Sequence, residues 1–199
     1  MQSRVSKAKQ NQNGKNAAAG CLGCFGIIFA IFIFVYALTS GDSGGTSKTN
    51  LTYTEQLTEK FGKETKVTKE GDSIVIDIPS SSSGNLFVNI GFPQDVAEAL
   101  KIVKKEKFEK VLVREISTLS DNKGNQSEGT LAAAMFDNDT IQSINFDNWV
   151  SQVTGDSTPF YELSTAYYIL PSTFKDNDKK IINEYAKGSS DPLWTKYLF

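Results

Sequence analysis

The sequence predicts an α+β protein with one N-terminal transmembrane helix and a small extracytoplasmic domain. In that domain we expect an antiparallel sheet of about four strands, with helices packed on one face. Three observations lead to this prediction. A long uncharged apolar segment lies near the N-terminus, alternating apolar positions farther along are typical of strands, and apolar positions at helical spacing indicate helices between and after them.

Residues 20–39 predict the transmembrane helix, because no charged residue occurs between Lys15 and Asp42. Twenty helical residues rise by about 30 Å, which is the hydrocarbon thickness of a bilayer. A cleaved signal peptide is the alternative. The apolar run is longer than the roughly 7–15 residues of a signal-peptide core, so a retained signal anchor is favoured.

The charge distribution predicts the orientation of this helix. Residues 1–19 hold four basic residues and no acid, whereas the chain from Asp42 onward holds 23 acidic and 17 basic residues, a net charge of −6. A basic tail indicates a cytoplasmic N-terminus and an outer C-terminal domain. We therefore assign residues 1–19 to a cytoplasmic tail, 40–50 to a flexible stalk and 51–199 to the outer domain. An acidic domain makes nucleic acid an unsuitable partner.

The cysteine and histidine content excludes several kinds of site. Cys21 and Cys24 both lie in the predicted span, and the chain contains no histidine. A structural zinc ion needs four ligands, so the two cysteines are best explained as small apolar residues, with acylation as the alternative. An outer region without cysteine, behind a short basic tail, favours a Gram-positive bacterial cell membrane. Catalytic sites that require histidine are excluded.

The first half of the outer domain shows helix and strand patterns in turn. We predict an amphipathic helix over 51–63 and a strand over 73–78, where isoleucines alternate. Leu86, Val88 and Ile90 also alternate and predict a second strand. The spacing of Val96, Leu100 and Val103 predicts a helix over 93–106, with a proline in its first turn.

The second half predicts a hairpin followed by helices. Strands over 111–117 and 130–136 flank the polar turn sequence 121–125. We expect a helix that carries Phe160, Leu163, Tyr167 and Leu170 and ends at Pro171, and a last helix around 181–185. The apolar residues at 193–199 are expected to dock on the domain.

Four groups of polar residues are candidate sites. Asp137 and Asp139 have the spacing that aspartate-nucleophile phosphatases use, but a helix N-cap is favoured. Ser172 and Lys175 match S-x-x-K without the other motifs of that enzyme class. Asp176 and Asp178 lack the pattern of a calcium loop. The lysines at 101–110 are interpreted as a solvated helix face.

These observations predict no catalytic, cofactor-binding or metal-binding residue. We expect a membrane-anchored binding module that is not an enzyme and has no cofactor. Its expected partners are the bilayer, through residues 20–39, and a protein or cell-envelope component. Aromatic residues of the C-terminal third are the candidate contact residues, and the simpler account is that most of them fill the core; they are Trp149, Phe160, Tyr161, Tyr167, Tyr168 and Trp194. A subunit of a conjugation or secretion assembly and a carboxylate-dependent hydrolase are the alternatives.

Overall fold

The computed structural model describes residues 51–80 and 86–198. The chain divides into two compact units, residues 1–48 and 49–199, and all of the described residues belong to the second unit. The predicted basic tail (1–19), transmembrane helix (20–39) and stalk (40–50) lie outside the described residues. Among the helices that the structure does describe, none is long and apolar enough to cross a membrane.

Six strands form one mixed sheet, in the same order in space as in the chain. They are β1 (Lys66–Glu70), β2 (Ser73–Pro79), β3 (Lys110–Ser120), β4 (Gln126–Asp137), β5 (Ala166–Ile169) and β6 (Ala186–Lys187). Strands β2 and β3 are parallel, and the other neighbouring pairs are antiparallel. The α+β class is confirmed, whereas the prediction of an antiparallel sheet of about four strands is wrong in strand number and in this pairing.

The parallel pair arises because the segment after β2 is helical. Phe87–Gly91 forms a π-helical segment that continues directly into α2 (Phe92–Val103). The strand predicted over 86–90 is therefore wrong. Leu86 is 61% exposed, while Phe87 and Val88 are buried, so burial does not alternate as in a strand. A short apolar run is compatible with the two-residue period of a strand and with the roughly 3.6-residue period of a helix, and this segment is helical.

The sheet carries an apolar cluster on each face. The larger cluster packs the first face against α1 (Tyr53–Phe61), α2, α3 (Asn138–Ser143), α4 (Phe146–Gly155) and α5 (Thr158–Leu163). On the second face, α6 (Pro192–Leu198) buries Leu193 and Trp194 beside Val75, Leu112 and Met135. The predicted docking of the C-terminal segment is thus confirmed. Helices cover both faces, so the expectation of a single covered face is wrong.

Of the two helices predicted in the C-terminal third, the first is shorter than expected and the second is not formed in the described residues. The helix expected through Leu170 ends at Leu163, and residues 166–169 form β5 instead. Ala166 packs on the second face, while Tyr167 and Ile169 belong to the larger cluster. A strand buried on both faces carries no clear alternation in its sequence. The segment near Ile181 is a short 3₁₀ turn at Asp178–Lys180, followed by β6.

The β3–β4 hairpin confirms the strand–turn–strand prediction. The Asp121 side chain accepts hydrogen bonds from the backbone N–H groups of Lys123 and Asn125, which fixes the polar turn. The register shifts between Glu115 and Ile116, where β4 has one extra residue. Such a bulge bends the strand and increases its twist. The outer half of the hairpin therefore departs from the plane of the neighbouring strands.

Candidate binding cleft and buried acid

A polar cleft of about 770 Å³ lies on the second face of the sheet. It exists because the strands differ in length: β2 ends at Pro79, opposite Ile116, whereas β3 and β4 continue to the hairpin turn. The hairpin forms one wall, and the β1–β2 strands form the other. Lys66 Nζ of β1 lies 3.4 Å from Glu128 Oε2 of β4, so an ion pair links the two walls.

Arg114 lies at the floor of the cleft and holds the C-terminal helix in place. Its Nε and Nη2 donate to the two carboxylate oxygens of Asp77 at 2.8 and 2.7 Å. Its Nη1 donates to the backbone oxygen of Tyr197 at 2.9 Å, and its guanidinium lies 5.1 Å from the centre of the Tyr197 ring. This bidentate pairing neutralises the arginine. Arg114 is therefore a structural element of the cleft rather than a binding site for a bound anion.

The lining of the cleft is made mainly of polar and charged side chains. Hydroxyl groups of serine and threonine line it together with both signs of charge. The two cations, Lys66 and Arg114, each face a carboxylate. The described lining contains no cysteine or tyrosine, and the side chain of one of its serines, Ser80, interacts with the buried carboxyl of Glu115. Side chains of this kind form hydrogen bonds and ion pairs with a polar ligand.

A buried acid, Glu115, lies in the central strand β3 and points to the opposite face. Its side chain is fully buried, and neither carboxyl oxygen makes a hydrogen bond of standard geometry to a described residue. Burial is the main cause that raises the pKa of Glu115 to about 8; the charge of Asp95 also raises the pKa, whereas the Ser80 side chain lowers it. Glu115 is therefore a neutral carboxylic acid at neutral pH.

Asp95, in the first turn of α2, is the second member of this acid pair. Burial raises the pKa of Asp95, Lys60 lowers it, and Glu98 raises it. A carboxylate-dependent hydrolase requires one protonated carboxyl as the acid and one ionised carboxylate as the base or nucleophile, and here the pKa values of both groups are raised. Neither Glu115 nor Asp95 lines the polar cleft, however. Ser80 does line the cleft and interacts with Glu115 through its side chain, so the buried acid lies next to the cleft.

The aromatic residues expected to contact a partner fill the two apolar clusters instead. Trp149, Phe160, Tyr161 and Tyr167 are buried in the larger cluster, and Trp194 is buried under α6. Phe160 contacts several other rings, and it approaches Tyr161 edge-on with 4.9 Å between the ring centroids. These five are therefore core residues, and the sixth, Tyr168, is partly buried beside the second-face cluster. Their large apolar area stabilises the core.

The polar residues that the sequence suggested as sites do not come together in the structure. Each of those described below makes a hydrogen bond to a neighbouring group instead. Asp137 is at the N-cap of α3, but its Oδ2 accepts from Thr165 Oγ1 at 2.8 Å rather than from the helix. Lys175 Nζ donates to the backbone oxygen of Ser172, not to the serine hydroxyl. Asp178 is buried and accepts from the backbone N–H of Lys175. Within the part of the chain that the structure describes, no three potential ligands group around a metal position.

Of the lysines at 101–110, Lys101 is exposed, whereas Lys104 and Lys110 are half-buried. Lys101 pairs with Asp147 at 3.1 Å, and Lys104 donates to the backbone oxygen of Ile144 at 2.7 Å. Lys110 lies between Glu109 and Asp191, and the hydrogen bond to Asp191 is the main cause that raises the pKa of Lys110. These contacts join neighbouring elements of the fold. A continuous basic surface for acidic lipids or polymers is not formed by these three side chains.

Comparison of the chain with protein-family models, with curated proteins and with solved structures finds no match. The class of this protein is therefore defined by its own fold and surface: a mixed six-stranded α+β domain with a polar cleft on the sheet.

Sequence reasoning missed both the cleft and the buried acid. One signal for the acid was present, because Glu115 follows Val111 and Val113 at the alternation of a buried strand. A charged residue in phase with buried positions indicates either a paired charge or a shifted pKa. The cleft had no such signal, since it depends on where β2 ends relative to β3.

Proposed function

We propose that this chain is a membrane-anchored extracytoplasmic binding module without catalytic activity, and that its domain binds an extended polypeptide of a cell-envelope partner in the polar cleft. The observation that carries the proposal is the cleft itself, a concave polar surface formed by β1 to β4. The predicted basic tail and apolar span add the anchor.

The chemistry of the cleft supports a polypeptide over a uniformly charged polymer. Glu64, Glu128 and Asp77 lie beside Lys66 and Arg114, so both signs of charge alternate within one surface. A polypeptide offers donors, acceptors and both signs of charge along its length, which gives electrostatic complementarity. A polyanion would lie as close to the carboxylates as to the cations. Repulsion would then cancel most of the attraction, and the binding free energy would be small.

The proposal predicts that photocrosslinking in whole cells captures a discrete partner from the cleft. A photoreactive residue at Thr118, which is exposed in the lining, should give a defined adduct. The same residue at Gln152, exposed on α4, should not, because α4 packs on the other face of the sheet. Equal adduct patterns from the two positions, or no adduct from Thr118, would count against the cleft as the binding site.

The anchor makes a separate prediction about topology. Protease added to intact wall-less cells should digest residues 51–199 and spare the basic tail 1–19, because positively charged flanks stay in the cytoplasm. An epitope at each end, followed by immunoblotting, measures this. Protection of the domain in intact cells, with digestion only after lysis, would reverse the proposed orientation.

A subunit of a conjugation or secretion assembly is the alternative within the same class. The crosslinked partner distinguishes the two, since a stoichiometric membrane complex supports the assembly and a single envelope protein supports the simple module. The hydrolase alternative rests on Glu115 and Asp95, whose pKa values are both raised. Its test is hydrolytic activity that is lost on Glu115→Gln replacement.

A further inference from the structure

The outer edge of β1 is a second surface that can bind a partner. Strand β1 is the first in the order of the sheet, and no described strand pairs with its outer side. The side chains of Lys66, Thr68 and Lys69 are exposed. An edge strand presents backbone N–H and C=O groups that another strand can pair with.

The β1–β2 turn determines which residues of β1 direct these groups outward. Glu70 is opposite Ser73, and the two-residue turn between them begins with Gly71 at φ +60°. The residues that flank such a turn form a hydrogen-bonded pair. Because hydrogen bonding alternates along an antiparallel strand, Thr68 also faces β2, whereas the backbone groups of Val67 and Lys69 point outward.

A second copy of β1 fits this edge in one register. With the two-fold axis at Thr68, the outward-facing residues Val67 and Lys69 of the two copies lie opposite each other. Lys66 of one copy then lies opposite Glu70 of the other, on the face that carries α6. Among the described residues, Glu70 receives Lys196 Nζ and Tyr197 Oη on its Oε1, which leaves Oε2 for the second copy's lysine.

The neighbouring registers place like charges together. An axis at Val67 sets Glu64 opposite Glu70, and an axis at Lys69 sets that lysine opposite itself. Like charges directly opposite destabilise a strand pair. Edge lysines usually discourage strand addition, but with the axis at Thr68 each lysine of β1 faces an acid or an aliphatic side chain.

We propose that two copies of this chain associate through β1, antiparallel about a two-fold axis at Thr68, so that their sheets become continuous. The interface is isologous, since the same residues contribute from both copies. The pairing does not rest on the ligand proposed for the cleft. Anchoring in one membrane would raise the effective concentration of the two edges for each other.

Disulfide crosslinking of the full-length chain tests the register. Thr68→Cys is introduced with Cys21→Ala and Cys24→Ala, so that it is the only thiol. The two Thr68 positions form a non-hydrogen-bonded pair with Cβ atoms about 4.5–5.5 Å apart, close to disulfide range. Mild oxidation should give a covalent dimer, whereas Gln152→Cys, exposed on α4, should give only background. Equal yields from the two positions overturn the proposal.

A charge swap tests the pairing, and coexpression separates it from the loss of the ion pairs that Lys66 makes with Glu128 and Glu70 makes with Lys196 within each chain. Lys66→Glu and Glu70→Lys, each added to the Thr68→Cys chain, should weaken self-association about tenfold, because both symmetry-related pairs become repulsive. Coexpression of the two variants should restore the crosslinked dimer, since each glutamate at 66 then faces a lysine at 70. Undiminished dimer in the single variants, or no restoration on coexpression, overturns the proposal.

Discussion

Replacement of Glu115 by glutamine is expected to remove most of the pH dependence of stability of the outer domain. The pKa of Glu115 is raised from 4.5 to about 8 in the folded domain, so the folded state binds a proton that the unfolded state releases. Its stabilising contribution is fully present below about pH 4.5 and is lost as pH rises to about 8. The slope of one such proton is about 1.4 kcal/mol for each pH unit.

Urea unfolding measures this slope between pH 5 and 9. The sample is residues 49–199, which form a compact unit of the chain. The wild-type domain should lose stability over the window, and the Glu115→Gln domain should lose much less. Asp95, whose pKa is also raised, accounts for the residual loss at lower pH. Glu59→Gln, on the exposed surface of α1, is the matched control. Parallel curves for wild type and Glu115→Gln would show that the carboxyl is ionised at neutral pH.

The parts of the fold that could be predicted are those encoded by local patterns. The α2 helix has a proline in its first turn and apolar residues at helical spacing, and Phe92–Val103 is helical as expected. The β3–β4 hairpin has a turn sequence between two apolar runs, and Asp121 closes that turn in the structure. Each signal lies in one continuous stretch of the sequence, so no contact with a distant part of the chain is needed to interpret it.

The errors occur where distant contacts decide the conformation. Residues 86–90 alternate as a strand would, but burial of Phe87 and Val88 against the larger cluster favours a helical turn. Strand β1 has only one apolar residue, Val67, and is held as a strand by pairing with β2. Strand β5 is buried on both faces, so its sequence fits a helix face equally well.

The candidate site also combines a feature that composition predicts with features that depend on distant contacts. The pairing of Arg114 with Asp77 joins residues that are distant in the chain, and the parallel register that aligns them depends on α2 as a crossover. The acidic character of the outer domain is a property of composition and could be predicted. The placement of those acids opposite Lys66 and Arg114 in one cleft is a property of the sheet, and no local pattern encodes it.

The C-terminal helix should be essential to the stability of the domain. Trp194 is almost fully buried between α6 and the second face, where it packs with Leu112 and Met135. The polar contacts of this region surround it: Lys110 pairs with Asp191 at 2.9 Å, and Arg114 donates to Tyr197. Trp194→Ala should therefore lower the free energy of unfolding by about 3–5 kcal/mol, through lost burial and the cavity left behind.

Urea denaturation of residues 49–199, followed by circular dichroism, measures the effect of Trp194→Ala. Tyr185→Ala removes an aromatic ring of similar size that is 47% exposed, so it should cost less than about 1 kcal/mol. Both variants lose one ring, and the difference between them isolates burial on the second face. If Trp194→Ala costs no more than Tyr185→Ala, α6 does not pack stably on the sheet.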